Sequence, residues 1–505
     1  MKGTAIHHGV SRRTVLRAAG TGLALPFAGL APAASDRRRT RSQAGTVTAL
    51  RMTTTSDLSA QMMARSPLPP FTAVNPGPFD VVVNPQETFQ LFLGTGAALT
   101  DSAAYVLANY LSARQRSALL AELFSPRQCN WQMLRVCMGS PDFRAQPVGY
   151  TYDDMPTGQT DPHLAHFSVS RDTAYITPII AQILAINPGV KILATPWTPP
   201  AWMFASGTFE ANQCTFRDSR MAAYARYFVR FLRAYRAADI PVWGITCQNE
   251  PVAGTFMKFS QSEEEIFIGS HLGPALKAAG LQDVKILALD DSWAKASYGE
   301  GVSASPVAGP FTAGIAYHGY RGGPAVMTGV DSAHPQVEQH LTEFRSLVSE
   351  PLDIQMASVA GGYVAQGVAN YAQSVLLWNL ALDQNGQPNQ QKPGRLGVVT
   401  VDNTTSAVTR TASYYALTHL AMFAQPGAVR CAATTFGTAY VAYRAYPDAV
   451  TTTALANPDG SVVLYAYNGQ GADVAFRVVD ARTGRGTVVT MVPGELSTFI
   501  WPAGH

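Results

Sequence analysis

The chain has 505 residues, of which 47% are hydrophobic and only 14% are charged, a composition that predicts a large buried core and argues against general disorder. The formal charge of +3 falls to about −1 when the four cationic residues of 1–34 are set aside, so no nucleic-acid partner is indicated. Past the N-terminus, no apolar stretch reaches the length of a membrane span.

The N-terminus has the three parts of an export signal. Residues 11–17 (Ser-Arg-Arg-Thr-Val-Leu-Arg) have the twin-arginine form, residues 18–30 are mostly apolar, and residues 31–33 (Ala-Pro-Ala) provide a small-residue cleavage site. We therefore predict a twin-arginine signal peptide over 1–34 and secretion to the extracellular space. Residues 35–75 are predicted to hold a leader and the first strand or strands of an accessory sheet.

Eight short apolar runs alternate with amphipathic segments between residues 89 and 382, which is typical of buried parallel strands separated by helices. The pattern predicts an α/β fold, a (β/α)8 TIM barrel over 76–395. A doubly wound open sheet is the alternative, but that fold usually has a Gly-rich phosphate turn, which Gly94-Thr95-Gly96 resembles only weakly. The predicted runs are 89–94, 131–137, 190–195, 242–247, 284–289, 314–318, 338–342 and 374–378.

Two glutamates follow strand-like runs, Glu250 after run four and Glu343 after run seven. In a barrel of this kind the active site lies at the carboxyl ends of the strands, so both carboxyl groups are expected at one face. A pair of carboxylates is what glycoside hydrolysis needs. Polar and aromatic residues follow the same ends of other runs, namely Asp142, Trp197, His318, Tyr320 and Trp378.

The C-terminal part of the chain changes character. From about residue 427 it consists of short β-rich runs separated by turns, which predicts a small β-sandwich over 396–505. β-rich pieces between 46 and 88 are expected to add strands to it, so that both chain ends build the accessory domain. The five cysteines show no paired spacing, and no metal site or cofactor is predicted, since His163 and His166 are interpreted as surface-loop residues.

Ordered motifs along the chain identify a possible family. They are Gly94-Thr-Gly-Ala-Ala-Leu-Thr-Asp101, Leu134-Arg-Val-Cys-Met-Gly-Ser-Pro-Asp142-Phe, Tyr150-Thr-Tyr-Asp-Asp154, Ala194-Thr-Pro-Trp197-Thr-Pro-Pro-Ala-Trp202-Met, Thr246-Cys-Gln-Asn249-Glu250-Pro251, His318-Gly-Tyr320, Thr342-Glu343 and Trp378-Asn379. After about residue 75 the chain resembles glycoside hydrolase family 30, which includes glucosylceramidases and β-1,6-glucanases. The resemblance implies a (β/α)8 barrel with a β-sandwich built from both chain ends.

The resemblance also implies a role for each matching residue. Glu250 matches the family's general acid/base, and Glu343 matches its nucleophile. Arg135 matches a buried supporting arginine near the two carboxylates. The implied substrate-binding residues are Asp142, Trp197, Asn249, His318, Tyr320 and Trp378, of which His318 and Tyr320 support the nucleophile side.

The chemistry implied by the resemblance is retaining double displacement without metal or cofactor, with carboxyl groups about 5–5.5 Å apart. The leading interpretation is a secreted retaining β-glycosidase that acts on β-glucosides and is glucosylceramidase-like, with an endo-β-1,6-glucanase or another β-glycanase as the alternative. Its partner would be a β-linked glycan or glycolipid. Interpretations from other classes are a carbohydrate-binding protein without catalysis and a nucleotide-dependent enzyme on an open sheet. The oligomeric state is left open.

Departures from the glucosylceramidase pattern concern the substrate. Gly319 stands where those enzymes have tryptophan, and we expect a glycine there to open the site to a different aglycone or to a polymer. Residues 387–395 contain no match to their asparagine sugar contact.

Overall fold

The structure is a computed structural model that describes residues 49–58, 63–207, 214–252, 257–390, 394–438 and 448–504. The predicted signal peptide over 1–34 and the leader up to residue 48 lie outside the described residues, so twin-arginine export stays a prediction. In the part of the chain that the structure describes, no helix is both long enough and apolar enough to cross a membrane.

Eight parallel strands, β1 to β8, form a closed barrel within the described residues. Each strand pairs with the next one along the chain, and β8 pairs with β1 to close the barrel. The predicted TIM barrel is therefore confirmed. The strands are β1 Gly94–Leu99, β2 Met133–Met138, β3 Lys191–Pro196, β4 Val242–Thr246, β5 Lys285–Ser292, β6 Thr312–His318, β7 Glu338–Glu343 and β8 Ser374–Leu377.

The barrel strands are buried on both faces, as continuous apolar runs predict. All six residues of β2 are buried, and so are all six of β1. Side chains that point inward fill the barrel, while those that point outward pack against the surrounding helices. A buried cluster drawn from five different strands consists of Met133, Leu193, Leu287, Ala316 and Leu376.

The first predicted run, 89–94, is wrong, because the first barrel strand is β1. Residues 89–91 instead end a strand of the outer sheet, Val81–Leu91. A Cβ atom added to Gly96 would lie 1.8 Å from the carbonyl oxygen of Met133 on β2. The glycines of residues 94–96 therefore serve the close packing of strands and not a phosphate turn.

Helices connect the barrel strands, and two of them begin at capping boxes formed by Ser112 and Ser260. Two π-helical segments, Phe267–Leu272 and Ala357–Ala365, join consecutive α-helices. The α-helices described are Asp101–Asn109, Ala113–Phe124, Ile176–Ile186, Met221–Ala237, Gln261–Ile266, Gly273–Ala278, Ala296–Ala304, Ala325–Ala333, Leu352–Met356, Gln366–Ala369 and Ala412–Ala421. Short 3-10 turns lie at Ser170–Ala174, Ala201–Met203, Asp218–Arg220, Trp293–Lys295 and Gly309–Phe311.

The predicted all-β accessory domain is also confirmed. Leu50–Thr54 pairs antiparallel with Leu496–Trp501, so both chain ends contribute, and the domain has its own apolar core. Across the sheet, the described strands are Ala64–Pro67, Leu50–Thr54, Leu496–Trp501, Val462–Asn468, Asp448–Ala456, Val429–Ala433, Val81–Leu91, Val474–Asp480, Arg485–Met491 and Thr72–Ala73, with Phe436–Thr438 beside Asp448–Ala456. Smaller sheets pair Cys214–Thr215 with Met257–Lys258, and Val399–Val401 with both Ala381–Asp383 and Val408–Arg410.

The expected domain boundaries at 76 and 395 stay predictions. Two elements, however, lie on one side of a boundary and contact the domain expected on the other side. Within the expected barrel range, Val81–Leu91 pairs with outer-sheet strands on both of its edges. Beyond the expected end of the barrel, helix Ala412–Ala421 contacts β1. Local apolar patterns do not reveal these assignments, because they indicate that a segment is buried but not which element it packs against.

His419 joins helix Ala412–Ala421 to the outer sheet. Its Nε2 atom lies 2.8 Å from the hydroxyl of Thr54, and its Nδ1 atom lies 3.0 Å from the hydroxyl of Thr498. The side chain is completely buried, and burial lowers the pKa of His419 to about 3. The folded protein therefore holds this imidazole in its neutral form at neutral and mildly acidic pH.

We expect acid to destabilise the wild-type protein through His419. Between pH 6.5 and about pH 3 the unfolded chain binds a proton that the folded protein does not, so the free energy of unfolding falls as the pH falls through this window. Relative to pH 7, this contributes a loss of about 3 kcal/mol at pH 4. Urea unfolding of wild type and His419→Gln at pH 7 and pH 4 measures the change within each protein.

The variant should lose less stability between the two pH values than wild type does. His163→Gln is the control, because His163 is exposed. Equal acid losses for wild type and His419→Gln would contradict the prediction.

Candidate active site

The carboxyl ends of the barrel strands surround a pocket of about 440 Å³, within the size range of ligand-binding clefts. Glu250 and Glu343 line it, with 21% and 8% of their side chains exposed. One oxygen of each carboxyl group and a ring nitrogen of His318 all lie within 4.8 Å of one another. The two glutamates predicted from strand ends therefore meet in one site.

The loop after β4 holds Glu250 in an unusual conformation. Glu250 has a φ of 47°, in the left-handed region that is costly for residues other than glycine and is found most often at functional sites. Its backbone N–H donates to the carbonyl oxygen of Asp290 at 2.9 Å, and the N–H of Asn249 donates to that of Pro196 at the same distance. These bonds fix the loop to the neighbouring strands β3 and β5.

Glu343, the last residue of β7, is held by a donor at each carboxylate oxygen. Arg135 on β2 donates from Nη1 to Oε2 at 2.5 Å. The hydroxyl of Tyr320, which follows β6, donates to Oε1 at 2.9 Å. Because charge-assisted bonds of this kind are strong and directional, they orient the carboxylate.

Asp290 is a fully buried carboxylate that sequence reasoning missed. Strand β5 is irregular at Leu289 and Asp290, where φ is 75° and 59°, and such a bulge re-aims side chains. Burial opposes ionisation, but the charge of Arg135 and several hydrogen bonds hold the pKa of Asp290 well below its ordinary value. Its oxygens accept hydrogen bonds from Arg135, Thr195, Thr246, His318 and Thr342.

His318 lies between Glu250 and Asp290. Its Nδ1 is 3.1 Å from Glu250 Oε1, and its Nε2 is 3.1 Å from Asp290 Oδ1. Burial alone would lower the pKa of His318, but Glu343, Asp290 and Glu250 raise it to about 10. Both ring nitrogens therefore carry protons and donate. The three groups that could offer ligand atoms to a metal ion, Glu250, His318 and Glu343, are each hydrogen-bonded within the protein.

Two tryptophans form one wall of the pocket. The rings of Trp197 and Trp378 stack with their centroids 5.0 Å apart, and only 3% of each residue is exposed. The guanidinium of Arg135 lies 5.0 Å from the first ring centroid and 5.5 Å from the second. Stacking covers one face of each ring, and little of either tryptophan is open to the pocket.

Two polar side chains complete this side of the pocket. The side-chain oxygen of Asn249 accepts a bond from Arg135 Nη2 at 2.8 Å, which fixes the orientation of its amide. Burial, followed by the charges of Glu343 and Glu250, raises the pKa of Asp142 to about 7. Asp142 therefore takes up a proton close to neutral pH.

The predicted site residues divide into two groups. Seven of them line the pocket, namely Asp142, Trp197, Asn249, Glu250, Tyr320, Glu343 and Trp378. Arg135 and His318 do not, since both are completely buried beneath the glutamates. His318, expected among the substrate-binding residues, is thus placed to act through Glu250 and Asp290.

Several lining residues were missed by sequence reasoning. Asp291 and Ser292 end β5, and four cationic side chains follow the last four strands, namely Lys295, Arg321, Arg345 and Arg395. The strand-end rule that found the glutamates would have found the residues next to the strands. The rest depend on loop conformation, which local sequence does not specify.

Gly319 does not open the site, contrary to expectation. A Cβ atom at this position would lie 2.6 Å from the ring of Tyr363 and 2.7 Å from the ring of Phe344. These rings stack on each other with centroids 4.9 Å apart, and Phe344 contacts the ring of Tyr320 at 5.9 Å. The space that glycine leaves is filled from within the protein, and the rings support the tyrosine that holds Glu343.

Comparison with protein families gives matches along most of the chain. A sequence model described as the glycosyl hydrolase family 30 TIM-barrel domain matches residues 92–424, and one described as that family's β-sandwich domain matches residues 427–495. The first match covers more than half of the chain and includes every strand of the barrel.

Individual relatives agree with the family match. An endo-1,6-β-D-glucanase of Neurospora crassa is 30% identical over 426 residues, which cover 82% of this chain and 86% of the relative. Lysosomal acid glucosylceramidase of Mus musculus is 31% identical over 454 residues, covering 83% of each chain. The solved structure of an endo-β-1,6-glucanase has a TM-score of 0.79 at 27% identity, and the match covers 90% of this chain and 99% of that one.

We expect Asp290→Asn to lower both the stability of the protein and the pKa of His318. The change leaves the buried charges of Arg135 and His318 with less compensation, which typically costs about 3–5 kcal/mol. Urea unfolding measures the stability, and NMR titration of the imidazole measures the pKa. Asp283→Asn is the matched control, because its ion pair with Arg236 lies on the surface. Equal effects of the two variants would show that Asp290 has no special role.

Proposed function

The chain belongs to glycosyl hydrolase family 30, and we propose that it is a retaining β-glycosidase that hydrolyses β-glucosidic bonds by double displacement. The observation that carries the proposal is the proximity of Glu250 and Glu343, which have carboxylate oxygens within 4.8 Å of each other. Retaining enzymes hold these groups about 5–5.5 Å apart, whereas inverting enzymes leave about 6.5–9.5 Å for a water molecule.

In the first step, Glu250 donates a proton to the glycosidic oxygen while Glu343 attacks the anomeric carbon. The bond from that carbon to the glycosidic oxygen breaks, and the leaving group departs as an alcohol. The sugar remains bound to Glu343 as an ester. In the second step, Glu250 removes a proton from water, whose oxygen attacks the anomeric carbon and releases the sugar with its configuration retained.

The buried groups support both steps. Arg135 and Tyr320 hold the two oxygens of Glu343, which directs the carboxylate toward the anomeric carbon. After Glu250 has given up its proton, the Nδ1–H group of His318 donates to the resulting carboxylate. The charged imidazole thus stabilises the form of Glu250 that acts as a base.

The glycone would lie against the walls described above. Asn249 adjoins Glu250 and is oriented by Arg135, so its amide is placed to bond the sugar's 2-hydroxyl, a contact that strengthens in the transition state. Asp142 provides carboxyl oxygens for further hydroxyl groups, and Trp197 and Trp378 limit the pocket on the same side.

β-1,6-glucan is the substrate we favour, and glucosylceramide is the second candidate. The glucanase relatives support the first, since one matches in sequence and another in three-dimensional structure over most of the chain. The similarity to the mouse glucosylceramidase supports the second. The predicted twin-arginine signal would place the enzyme outside the cell, where a glycan substrate is accessible.

A time course of products from linear β-1,6-glucan tests the proposal. An early ladder of oligosaccharides is expected for an endo-acting glucanase, and proton NMR of the first products should show the β-anomer. Glucose alone would indicate exo action. An initial α-anomer would overturn the retaining mechanism. If the glucan is not cleaved, release of glucose from glucosylceramide distinguishes the second candidate.

Glu343→Gln and Glu250→Gln should impair different steps of the reaction. Glu343→Gln should abolish turnover and the covalent labelling of residue 343 by a 2-deoxy-2-fluoroglucosyl fluoride, detected by peptide mass spectrometry. Glu250→Gln should lower kcat by about 10²–10⁴ for the glucan, and less for a 4-nitrophenyl glucoside, whose leaving group needs little protonation. Glu300→Gln, outside the pocket, is the control. Labelling at any other residue would contradict the assignment of Glu343.

A further inference from the structure

The strand ends around the pocket form two arcs with different chemistry. The proposed glycone contacts Asp142, Trp197, Asn249 and Trp378 follow β2, β3, β4 and β8. The arc made by β5, β6 and β7 supplies three cationic side chains to the same pocket, Lys295, Arg321 and Arg345. Because the glycone occupies the first arc in the proposed mechanism, the leaving group faces the second.

The charges at the floor of the pocket do not neutralise these cations. Arg135 and protonated His318 lie beneath the glutamates and are paired with Asp290 and with the catalytic carboxylates. Apart from the catalytic pair, the acidic residues that line the pocket are Asp142 and Asp291. Asp142 is partly protonated near neutral pH, since its pKa is raised to about 7. The three cations of the second arc outnumber its one acidic lining residue, Asp291, so this arc is a region of positive potential.

Arg345 provides a separate observation. Its guanidinium lies 5.3 Å from the centroid of the Tyr320 ring, and its Nη1 atom is buried with no hydrogen-bond partner among the described residues. Burial and the nearby charge of Arg345 lower the pKa of Arg395, so a second guanidinium lies within electrostatic reach. A buried charged donor without an acceptor is unfavourable, and a ligand that supplies an acceptor would remove that cost.

We propose that Lys295, Arg321 and Arg345 bind an anionic substituent on the leaving group of the substrate, a carboxylate or a phosphate or sulfate ester. Arginine presents paired N–H donors that match such oxyanions, and lysine adds a point charge. The inference rests on the proposed function, because the position of the leaving group follows from the roles of Glu250 and Glu343. It identifies acidic β-glucosides as better substrates than their neutral counterparts.

Matched aryl glucosides test this inference. The 3-carboxyphenyl and 3-carbamoylphenyl β-D-glucosides have leaving groups of nearly the same size, one charged and one neutral. At low salt we expect wild type to favour the acid by about tenfold in kcat/KM, a preference that shrinks toward one in 0.5 M NaCl because salt screens exposed charges. The 3-sulfonate and 3-phosphate analogues show which oxyanion fits best.

The variants are compared by the ratio of kcat/KM for the acid to kcat/KM for the amide, because a general loss of activity lowers both values by the same factor. Lys295→Gln, Arg321→Gln and Arg345→Gln should each lower the ratio, and their combination should bring it close to one. Arg233→Gln is the control, since Arg233 is an exposed arginine outside the pocket. A wild-type ratio near one, or a ratio that the triple variant leaves unchanged, would overturn the inference while leaving the proposed function intact.

If the proposed function itself is wrong, the result differs from the one that would overturn the anion site. In that case wild type cleaves neither aryl glucoside, the glucan nor glucosylceramide. The dissociation constants of the two intact aryl glucosides, measured by tryptophan fluorescence, then take the place of kcat/KM. Tighter binding of the acid that depends on the three cations would support the anion site, and equal binding would overturn it.

Discussion

The ion pair between Arg135 and Asp290 at the centre of the barrel is the interaction on which the site depends. Two charges with no solvent exposure are tolerated only where hydrogen bonds compensate both, and the hydroxyls around Asp290 supply much of this compensation. From the pair, Arg135 reaches Glu343, and His318 reaches Glu250. The separation of the two glutamates is thus fixed by contacts with barrel strands and with the bulge in β5, although Glu250 itself lies in the loop after β4.

Most of the pocket could be predicted from the sequence, because residue type and position at a strand end together specify it. Glu250, Glu343, Asp142 and Trp378 all follow apolar runs, and a parallel barrel brings every such end to one face. Asp290 directly follows run five, so the same rule covers it, but the rule does not reveal the irregular section through which β5 continues to Ser292. Apolar alternation has no signature for a strand that bulges and continues with polar residues.

Other features could not be read from local sequence because they depend on distant segments. Residues 89–91 have the apolar character of a barrel strand, yet they pair in the outer sheet, since period and hydropathy do not select a partner. The rings of Phe344 and Tyr363 fill the space beside Gly319, and only the closed barrel brings these residues together. The cationic side chains of the second arc likewise reach the pocket only because the loops after β5, β6 and β7 turn toward it. These misses concern tertiary packing and loop conformation, whereas periodicity favoured a TIM barrel, with an open sheet as the alternative.

The π-helical segment Ala357–Ala365 places Tyr363 against Phe344, and so behind the tyrosine that holds the nucleophile. A π turn contains more residues than an α turn, so loss of a single residue here would let the segment relax to an α-helix. Each residue in an α-helix turns the chain by about 100°, and such a loss would rotate Tyr363 relative to its partners. The length of this buried segment is therefore a constraint on the active site, because a one-residue deletion would disturb the site through Tyr363 and the rings packed against it.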